Sequence, residues 1–202
     1  MEYQGCIDNQ SASQKTKNFK LAEVCSVPGP VNWQERSHRM FPIRNQNGSL
    51  TCVCQTLATE MGIIFQQKYN EWIDFSSSFL YQQRGGSYGG CSSIDIYTIF
   101  PKLGNIFETI MPSQNMHEAD ILALERKNYY SDLALAFSIK RVELPVDFGT
   151  VASTIANTDK GVMVWFSSNY EEWTSTPFVS NSPLTFNHSV TEIGRASCRE
   201  RV

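Results

Sequence analysis

The sequence predicts an α+β protein in which a helical lobe comes first, a sheet lobe follows, and a cleft lies between them. Three observations carry this expectation. Apolar residues Val53, Leu57, Met61, Ile64 and Phe65 recur at helical spacing in the first half of the chain. The stretches that read as strands come later, at Ala134–Ile139 and Gly161–Phe166. Helices grouped before strands segregate the two element types, which disfavours an alternating parallel-sheet architecture.

The elements follow in order. Residues 1–30 are polar and irregular, ending in Val27-Pro28-Gly29-Pro30, and read as a lead-in to a domain spanning 31–191. The periodic stretch predicts a helix from Cys52 to about Tyr69. Phe75–Tyr81 holds a serine-capped helix start. Arg84–Gly90 is a glycine-rich loop; it follows no strand and lacks the Lys-Ser/Thr of a phosphate cradle. Cys91-Ser92-Ser93-Ile94-Asp95 then enters a third helix through Ile99. Residues 117–130 predict a charged amphipathic surface helix carrying Ala119, Leu122 and Leu124. Of the strands, Gly161–Phe166 reads as buried because its apolar run is uninterrupted. A further strand starts at Asn187-His188-Ser189-Val190.

Composition bounds the function classes. The chain has 202 residues, enough for one sizeable domain or two small lobes. A net charge of −3 argues against nucleic acid as the main partner. No apolar run is long enough to span a bilayer, and Met1-Glu2-Tyr3-Gln4 lacks a signal-peptide pattern. The six cysteines lack paired spacing and read as mostly free thiols in a reducing compartment. The expected partner is a peptide or protein, with no nucleic acid, no membrane and no cofactor or metal. A monomer in the cytoplasm, a virion or a host cell is expected.

The chemistry concentrates at Asn45-Gln46-Asn47-Gly48-Ser49-Leu50-Thr51-Cys52. Cys52 falls at the first turn of the predicted helix, where the positive end of the dipole favours thiolate over thiol. Gln46, six residues upstream, can supply a side-chain donor to an oxyanion hole. His188 lies 136 residues beyond Cys52 and can act as the base a thiol nucleophile needs. Each residue also has a plain structural reading. Cys52 can be a small buried hydrophobe, His188 a satisfied structural histidine, and Gln46 a turn residue. Cys54 is expected in the core, and a zinc site built on Cys52 and Cys54 lacks further ligands at ordinary spacing. His38 and His117 are expected on the surface.

Residues 31–191 resemble the papain family (C1) of cysteine peptidases, in the compact form found in phage and bacterial genomes. The resemblance rests on Asn32-Trp33, on Phe41-Pro42-Ile43-Arg44-Asn45-Gln46, on Cys52, on Gly89-Gly90, on Thr109-Ile110-Met111-Pro112 and on His188. It implies Cys52 as nucleophile, His188 as base, Gln46 in the oxyanion hole and Gly89 and Gly90 along the substrate. Cys91 and Met111 or Pro112 would line the adjoining specificity pocket. Val53 replaces the family's usual tryptophan, and Ser49 stands where a cysteine is usual, so the family's disulfide there is missing. Residues 1–30 are shorter than the family's inhibitory propeptides. Residues 192–202 match a translated sequencing adapter, which predicts a non-native tail and a missing asparagine or aspartate partner for His188. Weak or no turnover is then expected. A Cys–His amidase or transferase on the same scaffold, or a non-catalytic binding module, are the alternatives.

Overall fold

The computed structural model describes residues 6–7, 42, 44–84, 89–92, 95, 99–138, 140, 142–145, 148–158, 160–166 and 188–192. In chain order these form β1 (Cys6–Ile7), α1 (Cys52–Tyr69), α2 (Ser77–Gln83), β2 (Cys91–Ser92) and α3 (Phe100–Leu103). There follow α4 (Glu118–Ala123), α5 (Tyr130–Leu135), α6 (Phe148–Thr158), β3 (Val162–Phe166) and β4 (His188–Glu192). The class is α+β, as the sequence predicts.

Helix α1 is the central element. Its first three turns are enclosed on nearly every side: Cys52, Val53, Cys54, Thr56, Ala58, Glu60, Met61 and Ile63 are all buried. Only the last turn emerges, with Lys68 near the negative end of the dipole. Asn70 stops the helix in a left-handed conformation (φ 56°), and its N–H donates to the Gln66 carbonyl. Helix α2 begins at Ser76, whose hydroxyl accepts from the Phe79 N–H at 3.0 Å.

Three apolar clusters hold these elements. One joins Val53 and Cys54 of α1 to Leu80 and Tyr81 of α2, to Cys91, Phe100 and Ile121. A second gathers Phe79, Ile106, Met111, Tyr130 and Ala134. A third sets Ala58 and Met61 against Phe75, with Phe65, Phe107 and Phe137 around it. In that group Phe107 and Phe137 meet edge-on at 4.8 Å, a geometry that suits the ring quadrupoles.

Strands β3 and β4 pair antiparallel from Phe166 opposite His188 to Val162 opposite Glu192. The short β1 and β2 pair in parallel, Cys6 opposite Cys91. That pairing sets Cys6 and Ile7 beside the residues that follow Gly89 and Gly90.

Several expectations need correction. The expected third helix starts later than Cys91, whose backbone is paired with β1; Asp95 and Ile99 are helical, in a wide π-type turn. The helix signal sits at Ser92, whose N–H donates to the Asp95 carboxylate at 2.7 Å while its hydroxyl accepts from the Asp95 N–H at 3.4 Å. That reciprocal pattern is a capping box. The single helix over 117–130 is instead two short ones, with Leu124–Tyr129 outside both. Ala134 lies in α5, so the first apolar run is not a strand; Ala134 packs as a helical residue beside Phe79 and Tyr130. The β3 strand is half-buried over Val162–Trp165, not fully buried. Helix α6 carries apolar residues at helical spacing (Val151, Ile155) that the sequence reading passed over.

Candidate active site

The segment before α1 is shaped by a tight turn. The Ser49 N–H donates to the Gln46 carbonyl at 2.8 Å, and both central residues have positive φ, 47° at Asn47 and 71° at Gly48. This is the backbone of a type I′ turn, for which Asn-Gly is the favoured pair. The Ser49 hydroxyl also donates to the Gln46 carbonyl, at 2.6 Å, and sits 2.7 Å from the Thr51 hydroxyl. Gln46 is therefore fixed by its own backbone, half-buried, one short turn before Cys52.

Side chains pin this turn from outside. Asn45 receives a bond from the Asn115 N–H at 3.0 Å, and Asn47 Nδ2 donates to the Asn115 carbonyl at 2.9 Å. Arg44, with its side chain almost wholly buried, ties the segment to the helical core. It pairs with the Asp74 carboxylate, donates to the Phe75 carbonyl at 2.5 Å and reaches Gln55 Oε1 of α1 at 3.2 Å. Burial lowers the Arg44 pKa, against the opposing pull of Asp74 and Glu108. Glu108 in turn accepts from Ser113 Oγ at 2.6 Å and the Gln114 N–H at 2.9 Å.

Cys52 is the first residue of α1 and is 2 % exposed. Residues 52, 56 and 60 follow at intervals of four and so share one helix face. Strand β4 covers that face. The Thr56 hydroxyl lies 2.9 Å from the Cys52 carbonyl and 3.1 Å from the Ser189 carbonyl, and the Thr191 hydroxyl lies 3.4 Å from the Thr56 carbonyl. Thr191 also bonds the Glu60 carboxyl. The strand therefore runs in the same direction as the helix, with His188 toward the Cys52 end and Thr191 toward the Glu60 end. Burial lowers the His188 pKa, favouring the neutral imidazole.

Glu60 was not picked out in the sequence, yet it is buried beneath this face. Burial pushes its carboxyl up to about 8, only partly offset by the Thr191 bond. Gly161 lets the sheet close on it: a Cβ there would lie 2.5 Å from Glu60 Oε1.

Gly89 and Gly90 are held by a second buried network. The Gly89 N–H donates to Glu118 Oε1 at 3.0 Å, and the Tyr81 hydroxyl lies between two acceptors, the Glu118 carboxylate and the Gly89 carbonyl at 2.6 Å. Arg84 donates to the Gly90 carbonyl at 3.0 Å, pairs with Glu118 at 3.3 Å and stacks 3.7 Å over the Tyr81 ring. Burial, then the Glu118 contact, raises the Tyr81 pKa, keeping the phenol protonated. Three backbone polar groups of the glycine pair are thus committed to the protein itself. Cys91 and Met111 are fully buried, whereas Pro112 and His117 are exposed. Trp33 and His38 lie outside the described residues.

Arg44, Thr56, Glu60 and Glu118 are the residues that sequence reading missed. Thr56 and Glu60 had a signal, polar side chains at intervals of four from Cys52. Arg44 and Glu118 had none, since their partners are distant in sequence.

A scan against known protein families found no match, and neither did a search of curated proteins. Solved structures do match. Xylellain, a cysteine protease from Xylella fastidiosa, is similar with a TM-score of 0.62 at 13% identity, over 94% of this chain and 78% of that one. The cysteine protease and lectin-like domains of Cwp84, a surface-layer-associated protein of Clostridium difficile, match with a TM-score of 0.62 at 16% identity. That match covers 90% of this chain and 44% of Cwp84. The proform of Amb a 11, a ragweed pollen cysteine protease, gives 0.56 at 16% identity, over 84% and 51%. The chain spans about half or less of the latter two proteins.

Proposed function

We propose that this chain, which shares the fold of these cysteine proteases, is itself a cysteine peptidase with Cys52 as nucleophile, His188 as base and Gln46 in the oxyanion hole. The observation that carries this is the seating of β4 on the Cys52–Thr56–Glu60 face, with Ser189 bonded one helical turn from Cys52.

In this reading, His188 takes the Cys52 proton, and the positive end of α1 stabilises the thiolate. The lowered His188 pKa keeps the imidazole neutral and able to accept at ordinary pH. The thiolate attacks the peptide carbonyl carbon. The resulting oxyanion accepts from the Gln46 side-chain amide and the Cys52 backbone N–H. His188 then protonates the leaving amine and activates the water that frees the acyl group. The substrate backbone runs past Gly89 and Gly90, with exposed Pro112 at the neighbouring pocket. Cys91 supports this wall from beneath.

The test is labelling with a peptidyl epoxide at neutral pH, followed by hydrolysis of a peptide library. Modification confined to Cys52, and lost in both Cys52→Ala and His188→Ala, is the expected result. Labelling spread over several cysteines, or unchanged in His188→Ala, overturns the pairing. Selective labelling lost in both variants establishes the Cys52–His188 pair whether or not this chain turns over peptide; hydrolysis of a cell-wall peptide amide with no cleavage of library peptides would move the assignment to an amidase or transferase.

A further inference from the structure

We propose that Cys54 and Cys91 are a disulfide-forming pair, closing a covalent staple between α1 and the segment carrying Gly89 and Gly90. Their sulfurs lie 3.4 Å apart. An S–S bond is about 2.05 Å long, so the two sulfurs must approach by only about 1.4 Å, a distance on the scale of side-chain rotation. Both residues are wholly buried, packed with Val53, Leu80, Tyr81, Phe100 and Ile121. Two thiols in such an enclosure are poorly solvated polar groups, and the bond removes both. Burial, reinforced by the Cys91 contact, pushes the Cys54 thiol well up, so Cys54 is not a nucleophile for substrate. Cys52, two residues away, remains the thiol for chemistry. The sequence places no cysteine at position 49, where the resemblance would have one; Cys54 reaches the same wall from inside the helix.

The oxidant is a low-molecular-weight disulfide such as oxidised glutathione. One protein thiolate attacks a glutathione sulfur, breaks that S–S bond and releases one glutathione thiolate, which takes up a proton. The second protein thiolate attacks the mixed disulfide at the protein sulfur and releases the second glutathione. Two protein thiols are oxidised by two electrons, and one glutathione disulfide is reduced to two thiols. Since neither sulfur is exposed, exchange proceeds while α1 and β2 are apart, during folding or transient opening, and the bond is then shielded from reductant. Cys6 lies opposite Cys91 in the β1–β2 register and is the competitor the experiment must exclude.

The purified chain is equilibrated in a series of oxidised-to-reduced glutathione ratios, alkylated in denaturant and digested with trypsin without reduction. Cys91 is the only cysteine of peptide 85–102, and peptide 45–68 carries Cys52 and Cys54. A Cys52→Ser chain run in parallel therefore assigns the sulfur. The expected result is a 45–68/85–102 cross-link lighter by two hydrogens, persisting in Cys52→Ser and lost in Cys54→Ala and Cys91→Ala. Cys52 stays alkylatable throughout. Because the loop spans 37 residues, oxidation should raise Tm by about 10 °C. Cys54 and Cys91 both alkylated at the most oxidising ratio overturns the proposal. So does peptide 85–102 linked to the peptide containing Cys6 or Cys25. The cross-link is read by mass, so its failure is distinct from failure of the peptidase reading.

Discussion

Thr56 ties α1 to β4: its hydroxyl lies 3.1 Å from the carbonyl oxygen of Ser189 and 2.9 Å from that of Cys52. One hydroxyl thus touches the residue after the proposed base and the proposed nucleophile's own backbone. Thr56→Val keeps the branched shape and removes the donor, leaving a buried carbonyl short of a partner. A loss of about 1–3 kcal/mol is expected, read as a lower Tm. The rate of epoxide labelling at Cys52 should fall about tenfold as His188 loosens, and Thr56→Ser should restore it. An unchanged labelling rate in the valine variant would detach Thr56 from the positioning of His188.

Glu60 should make stability fall as pH rises. Its folded pKa of about 8 stands above the 4.5 of an ordinary glutamate. Between those values the folded chain keeps a proton that the unfolded chain releases, so stability is greatest below the lower value and declines until the upper one is passed. His188 acts in the opposite sense. Its folded pKa is lowered, so stability rises with pH between that value and 6.5. Comparing Glu60→Gln with the parent chain isolates the first effect. The variant should match the parent near pH 4, below both values, and exceed it by several kcal/mol at pH 9, on roughly 1.4 kcal/mol per pKa unit. Equal denaturation midpoints at pH 9 would mean the carboxyl is ionised and solvated in the folded chain.

Local patterns carried the sequence reading, and non-local ones escaped it. Helix α1 was legible end to end because its apolar residues from Val53 to Phe65 repeat at helical spacing over about three turns. Ala134–Ile139 was misread because a short apolar run suits a buried helix as well as a strand. Here Ala134 packs helically against Phe79 and Tyr130. The β1–β2 pairing joins residues 85 positions apart, and two-residue strands carry no periodicity. Gln46 and Cys52 could be named from their spacing, but the polar scaffold behind them could not. Arg44 meets Asp74, and Gly89 meets Glu118, only after folding.

Glu118 should prove structural for the glycine wall. It accepts from the Gly89 N–H and pairs with Arg84, whose side chain is 3% exposed. Glu118→Ala strands that guanidinium in the core, and a loss of roughly 3–5 kcal/mol is expected. Glu118→Gln keeps an acceptor for Gly89 and should lose less. If Gly89 and Gly90 hold substrate, the glutamine variant should raise KM for peptides while the Cys52 labelling rate by a small alkylating agent stays within about twofold. Parallel losses in both readouts would point to general unfolding instead.

Gly48 and Gln46 separate two parts of the proposed chemistry. Gly48 has φ 71° and open space around the position a Cβ would take. Gly48→Ala therefore meets no clash, only the strain of a left-handed backbone, about 1 kcal/mol, or a Tm lower by roughly 2–4 °C. Asparagine tolerates that conformation better, so Gly48→Asn should lose less. Relaxing the turn moves Gln46 away from the oxyanion, whereas thiolate formation depends on α1 and His188. Gln46→Ala should therefore leave the alkylation rate of Cys52 nearly unchanged and lower kcat by about 10²–10³ fold. Gly48→Ala should do the same to a smaller degree. A Gln46→Ala chain that hydrolyses peptides as fast as the parent would remove Gln46 from the mechanism and leave its turn a purely structural lead into α1.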